Sequence, residues 1–523
     1  MSNERLAGSL VAVALKAISL NIGLHISMRL CTFVLNAFIL RHITKYAFGV
    51  INVRLMLLFS TIHFLASEPF RRACCTDTSH DKWSKIINLS WLSVPLASSV
   101  GALLSVVWVY LLETPDDPTY LLSVGITFVA AIIEVMAEPM FIIGCAFGYV
   151  KFKVFAEGSA LALRCVLMSV LVFVRPSQAL LAYAISQLIA STYFTVIFYA
   201  YFHFVCAHNL DTSLPIAHIY QMIPFFEGVD GAVGELAASF VKQTVFKQVL
   251  TEGERYVMTT FCVLDFASQG VYEAVSNLGS LAARYIFGQV EENGYLLFGQ
   301  LFGRGDPNTR KESDVRLGAE ILSNLLKLML IVALVIATFG QAFSGTLLYI
   351  YAGDSLLPFG RTLMRLHCMY IAFIAVNGIT ECFVFATMTK KQLDKHNAKM
   401  AQCSLIFLVA SYVFSRIFGA VGLIFANMVN MTLRIVLSFC YINHFFAQIN
   451  ANIVLRSMPN KWVIIILITS CALTLTSELL IGDRIIPHAA FGGVCFLIVT
   501  IVTYKSEHEL TSFIRKNVIE KKL

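Results

Sequence analysis

Charge is what this chain has least of. Only 14% of its 523 residues are Asp, Glu, Lys or Arg, against about 25% in an ordinary globular domain. Tryptophan is scarce too, 4 residues against 41 phenylalanines. The 13 cysteines form no CxxC pair and stand beside no histidine cluster at ligand spacing. That pattern excludes a zinc site and a disulfide scaffold, and the adjacent Cys74 and Cys75 read as reduced thiols. No cleavable leader is visible: the first apolar segment is far longer than a signal core and contains Lys16 and Arg29. Catalytic Ser or Cys arrangements, glycine loops that cradle phosphate, ATPase motifs and metal sets are all missing. The expectation is a protein that is no enzyme, takes no cofactor or metal and binds no nucleic acid.

What remains is apolar. Hydrophobic residues make up 58% of the chain and the mean hydropathy is +0.74. A bilayer core needs roughly 20 apolar residues as helix. Read that way, the sequence predicts an all-α polytopic membrane protein with about fourteen spans, from 10–40 to 486–504, including 237–265 and 268–302. Lysine and arginine crowd the loops on the side shared with both termini about threefold over the other side. The positive-inside rule therefore predicts cytosolic termini. A polar gap over 207–236 has no Lys or Arg and is expected to separate two lobes. The predicted organisation is an N-terminal six-helix lobe over 1–206, a linker over 207–236, a second six-helix lobe over 237–447, and two further helices with a tail over 448–523.

Within this apolar chain the charges are arranged, not scattered. Residues 242–293 carry Lys242, Gln243, Lys247, Glu252, Glu254 and Arg255. After an expected break at Ser268–Gly270 follow Glu273, Asn277, Ser280, Arg284 and Glu291, one stripe of a helix if that helix is continuous. The first segment carries Asn21, His25, Arg29, Thr32 and Asn36, then Arg41. The second carries Arg54, Thr61 and Glu68, then Arg71 and Arg72. Further on come Asn377 with Glu381, and Asn427, Asn430, Arg434 and Ser438. A charge at mid-bilayer costs roughly 2.5–3.5 kcal/mol on insertion scales, so such residues face a watery or protein-lined interior. Bases outnumber acids in the stripes, and arginine suits a phosphate held in a dry site. A central basic cavity for an anionic ligand is the functional reading. The plainer one is bracing: Arg54–Glu68, Arg255–Glu254 and Arg284–Glu291 as structural ion pairs, Asn427 and Asn430 as interhelical hydrogen bonds, and Arg71, Arg72, Lys82 and Lys85 as a cytosolic flank against anionic headgroups. Glu134 and Glu138, followed by Pro139, sit at i and i+4 and read as a partnered acid, a kink or a proton site. The sequons at Asn88 and Asn430 fall in or at spans and are not credible acceptors.

Six stretches together resemble the eukaryotic Rft family: Leu35–Arg41, Asn52–Leu55, Glu68–Ala73, Gln248–Met258, Asn277–Ser280 and Asn377–Phe383. The resemblance runs from about residue 20 to 445. One position departs, Ser67 standing before Glu68 where some relatives carry a base. The family is similar to the multidrug/oligosaccharidyl-lipid/polysaccharide exporter superfamily. That resemblance implies two six-helix lobes around a cavity with two added helices. It also implies an endoplasmic-reticulum protein that moves dolichol-diphosphate-linked oligosaccharide from the cytosolic to the luminal leaflet for protein N-glycosylation, among membrane lipids and other proteins of that pathway. The expected substrate-binding residues are Arg29, Arg41, Arg54, Glu68, Arg71, Arg72, Lys242, Lys247, Glu254, Arg255, Arg284, Glu291 and Glu381. Two alternatives stand beside transport of this lipid: an accessory protein that binds or presents it to pathway enzymes, and an ion-coupled antiporter of small molecules.

Overall fold

The computed structural model describes residues 33–74, 83–211, 214–216, 218–224, 228–281, 283–302, 312–449, 452–482 and 484–515. Every regular element among them is helical. Among the described residues, eleven helices are long and apolar enough to cross a membrane, and they coincide with eleven of the expected segments. This is a multi-pass membrane protein. Most of the expected segment 10–40 lies outside the described residues.

The chain forms two compact units, 1–270 and 271–523. In the first unit, α1 (Phe33–His42) precedes α2 (Lys45–Gly49), which passes through a π turn (Val50–Leu55) into α3 (Met56–Cys74). The side chain of Thr44 caps the start of α2 by accepting from the Ala47 N–H at 3.1 Å. Then come α4 (Trp83–Trp91), α5 (Ser93–Val106), α6 (Tyr120–Val135), α7 (Glu138–Ala146), α8 (Val150–Val174) and α9 (Ala179–Ala207). The apolar faces of α3, α4, α7, α8 and α9 meet in one aromatic-rich core built on Phe70, Trp83, Phe141, Phe198 and Phe202. Residues 231–302 depart most from the expected two long helices. They form α10 (Gly231–Thr251), α11 (Gly253–Phe261), α12 (Phe266–Gly279), a π turn (Ala283–Phe287) and α13 (Gly288–Phe302). The first break follows Thr251, where Glu252-Gly253 interrupts the apolar run. The second is at Cys262, held in the left-handed region at φ 47°. Ser268–Gly270 lies inside α12, so the break expected there falls instead at 262–265. The π turn also interrupts the stripe from Glu273 to Glu291, so those residues do not share one continuous helical face.

The backbone of α2 crosses that of α12 at two glycines. A Cβ on Gly49 would strike the Phe266 carbonyl, and one on Gly270 would strike the Lys45 carbonyl. This is the close approach that small residues permit between membrane helices. The second unit continues with α14 (Glu312–Ala352), α15 (Leu357–Thr387), α16 (Lys390–Phe418), α17 (Ala420–Phe445), α18 (Ile453–Ser457), α19 (Lys461–Ile481) and α20 (Ile485–Ser506). Gly419, at φ 61°, makes the tight turn between α16 and α17. Its core is a cluster of Phe287, Phe298, Phe302, Phe383 and Phe446. The α19–α20 hairpin packs Val463, Leu467 and Val499 against Leu334, Val335 and Phe339 of α14.

Candidate functional site

In the first unit the polar face of α3 holds most of the candidate residues. Glu68 is the node. Its Oε1 accepts from Arg72 Nε at 2.9 Å, one turn on, and from Lys247 Nζ of α10 at 3.0 Å. Both bases remain substantially exposed, Arg72 at 37% and Lys247 at 47%, so each presents free N–H groups to whatever lies beyond α3 and α10. Lys242, on the same helix as Lys247, is exposed. Two turns away along α3, Thr61 shares a 2.7 Å hydrogen bond with the Tyr256 hydroxyl, and Gln248 donates to both oxygens at 3.4 Å. This ties α3, α10 and α11 together beneath the charges. Arg255 donates to Glu252 at 3.0 Å and is half-buried, as is Glu254.

Other candidate bases have different duties. Arg71 turns away from Glu68. Its Nε and Nη2 bind the two oxygens of Glu138 on α7 at 2.8 and 2.5 Å, with its guanidinium 3.8 Å from the centre of the Phe141 ring. Such a two-point grip satisfies a desolvated carboxylate. Arg54 is fully buried with no hydrogen-bond partner for any guanidinium nitrogen among the described residues; it lies 5.3 Å from the Phe266 ring centre. The pairing of Arg54 with Glu68 does not form. Fourteen residues separate them, about 21 Å along a helix. Arg41 is exposed at the end of the short helix Phe33–His42. Arg284 falls in the π turn before α13. Arg29 lies outside the described residues.

In the second unit Glu291 of α13 and Glu381 of α15 line one cavity of about 340 Å³ with Tyr295, Ile374, Asn377 and Phe385. Gly378 makes room for it, since a Cβ there would collide with the Glu291 carboxylate. Glu381 is also gripped at both oxygens by Arg434 of α17, at 2.7 and 2.8 Å. Arg434, which the sequence places in one polar stripe with Asn430, is committed to this pair. Taken alone, the cavity offers acceptors suited to hydroxyl groups more than to an anion.

Several charged groups escaped the sequence reading. His63 and Arg164 in the first unit face the Glu134–Glu138 pair and its neighbours. In the second, Arg365 donates to Glu478 at 2.6 Å and Lys327 lies 3.4 Å from Glu507. The available signal was the same for all: an ionisable residue inside an apolar segment, which marks a site or a partner. What helical periodicity does not reveal is the helix that supplies the partner.

A sequence profile described as Rft protein matches residues 13–517. Among curated relatives, the Man(5)GlcNAc(2)-PP-dolichol translocation protein RFT1 of Xenopus tropicalis is 37% identical, with 97% of each chain covered. The protein of the same name from Mus musculus is 39% identical over 94% of each. Among solved structures, the chain is similar to the lipid II flippase MurJ in its inward closed conformation, at a TM-score of 0.64, with 11% identity and coverage of 93% and 99%. An inward-facing multidrug resistance MATE family transporter of the MOP superfamily gives 0.58, at 11% identity and coverage of 80% and 94%. These two likenesses show a shared fold at 11% sequence identity. On the profile match and the full-length relatives together, this chain belongs to the Rft protein family.

Proposed function

We propose that this protein carries dolichol-diphosphate-linked oligosaccharide across the endoplasmic-reticulum membrane, from the cytosolic to the luminal leaflet, in support of protein N-glycosylation. The observation that carries the reading is near-complete alignment, at 37–39% identity, with proteins named for translocation of Man(5)GlcNAc(2)-PP-dolichol. The reading is transport and not catalysis. The physical need is plain. A diphosphate and a set of sugar hydroxyls dragged unaided through hydrocarbon meet a prohibitive cost, several kcal/mol for each unsatisfied polar group.

The chain supplies groups that lower that cost. Lys242, Lys247, Arg72 and Arg255 retain exposure and offer N–H donors for a diphosphate; Glu68 holds Arg72 and Lys247, Glu252 holds Arg255, and we assign Glu254 to the same set. Glu291 and Glu381 offer acceptors to sugar hydroxyls. We assign Arg29, Arg41 and Arg284 to the same binding set. Arg71 and Arg54 we assign to shaping the wall, since one is held by Glu138 and the other is sealed. The 1–206, 207–236, 237–447 and 448–523 organisation, with cytosolic termini, is the arrangement we adopt for alternating exposure of such a site. A binding site lowers the barrier in both directions, so net flow follows synthesis and consumption of the lipid or a coupled ion.

The test is reconstitution of the purified chain into vesicles bearing a fluorescent dolichol-diphosphate oligosaccharide, with leaflet exposure read by a membrane-impermeant glycan-binding probe. Faster exchange than in empty vesicles supports carriage. Tight binding with no faster exchange overturns it and leaves a protein that presents the lipid to pathway enzymes.

A further inference from the structure

The cluster left over by this reading lies within the first unit, around His63. A cavity of about 210 Å³ is lined by Phe59, His63, Arg71, Glu134, Glu157 and Arg164, among others. His63 Nε2 is buried and makes no hydrogen bond. It lies between two carboxylates, 3.8 Å from Glu134 Oε1 on α6 and 3.6 Å from Glu138 Oε1 on α7.

The two acids are not equivalent. Glu138 is neutralised by the fork of Arg71. Glu134 receives only neutral donors: Ser191 Oγ at 2.6 Å and Gln187 Nε2 at 3.5 Å. Arg164 stops one bond short of it, donating to the Gln187 amide oxygen at 2.8 Å, which turns the amide N–H groups toward Ser191 and Glu134. Among the described residues, Glu134 thus has no cation in ion-pair range except a protonated His63.

Other ionisable groups packed around α3 do not fill that role. Lys153 of α8 lies 4.5 Å from the Phe141 ring, on the Arg71 side, and Glu157, lining the cavity, is exposed and acidic. Cys145 of α7 is a half-buried free cysteine. From α10, Glu235 and Lys242 are exposed and Lys247 is held by Glu68; from α4, Lys85 is exposed. The α5 helix has no ionisable residue.

We infer that the His63–Glu134 pair is a proton-binding site inside the first helix bundle, a place where a proton gradient can act on the carrier. With the proton bound, imidazolium completes the charge balance of Glu134 and draws α3 toward α6. Without it, a carboxylate supported by hydroxyl and amide alone faces a neutral ring. Histidine is the side chain whose charge changes within the physiological range, and ionisable residues inside membrane bundles mark proton pathways.

The experiment is pH-difference infrared spectroscopy on the purified full-length chain in lipid nanodiscs, from roughly pH 8 down to pH 5. It reads the site whatever the cargo. The protein has 12 histidines, so the readout is the wild-type-minus-H63Q difference (or minus H63N if the glutamine variant does not purify folded), which is expected to gain an imidazolium band on acidification. In E134Q the same band at a given acidic pH is expected to fall at least about twofold, because its stabilising carboxylate is gone. A wild-type-like band in the His63 variant, or an unchanged band in E134Q, overturns the inference.

Discussion

Arg434 binds both oxygens of Glu381, its Nε at 2.7 Å and Nη2 at 2.8 Å, across the α15–α17 contact. The carboxylate is 12% exposed and the guanidinium 29%, so the pair is partly desolvated. Removing either partner strands the other. Glu381→Gln or Arg434→Gln should each lower stability by about 1–3 kcal/mol, between the exposed-pair and fully buried cases. Thermal unfolding in detergent, followed by thiol-reactive dye, reads this out. The exchanged pair E381R with R434E should lose less than the two single reversals summed, whereas a loss equal to that sum would mean the two residues act separately.

Glu68 and Lys247 sit at the opposite extreme. Lys247 is 47% exposed, so Lys247→Ala should change stability by less than about 1 kcal/mol. If its ammonium meets a lipid diphosphate, exchange of that lipid in vesicles should nevertheless slow markedly, and Lys247→Arg should preserve it. Unaltered exchange in the alanine variant would remove Lys247 from the binding set.

At the crossing of α2 and α12, Gly270→Val should destabilise by more than about 2 kcal/mol, since the added methyl groups meet a main-chain carbonyl that cannot rotate away. Gly299 has open space where its Cβ would be. Gly299→Ala should therefore be neutral or slightly stabilising. Expression level and monodispersity on size exclusion distinguish them.

The C-terminal hairpin is clamped to α14 and α15 by charge as well as by Val463, Leu467 and Val499. Glu478 of α19 meets Arg365 at 2.6 Å and Arg361 at 3.8 Å, while Glu507 meets Lys327 and accepts the Asn460 N–H at 2.5 Å. Glu507→Ala should unlock the hairpin at its Asn460 end, leaving Lys327 buried without its acid. Faster limited proteolysis between 447 and 460 is the expected sign; wild-type cleavage rates would show that apolar packing alone holds the hairpin.

How much of this was legible beforehand varies by element. The eleven long helices are written in hydropathy, because a span in lipid must satisfy its backbone internally and cover itself with apolar side chains. The breaks within 231–302 were not. Gly253 is a local hint, but Cys262 in the left-handed region and the π turn after Gly279 are imposed by packing, not by propensity. Periodicity placed Glu68, Arg71 and Arg72 on one helix correctly. It did not say that Lys247 of α10 would answer Glu68, or that Glu138 of α7 would take Arg71 from the same surface.

The sequence by itself determined the solvent, the helical class and the family of this protein, since each is a property of composition, local period or matched residues. Which charges are braced, which remain open and which face one another across a cavity only the tertiary structure decided. His63 shows why: nothing within a turn of it on α3 is acidic, and its two carboxylates, Glu134 and Glu138, arrive 71 and 75 residues later on separate helices. Pairing energy depends on distance in space, and a chain's order along its length does not encode that distance.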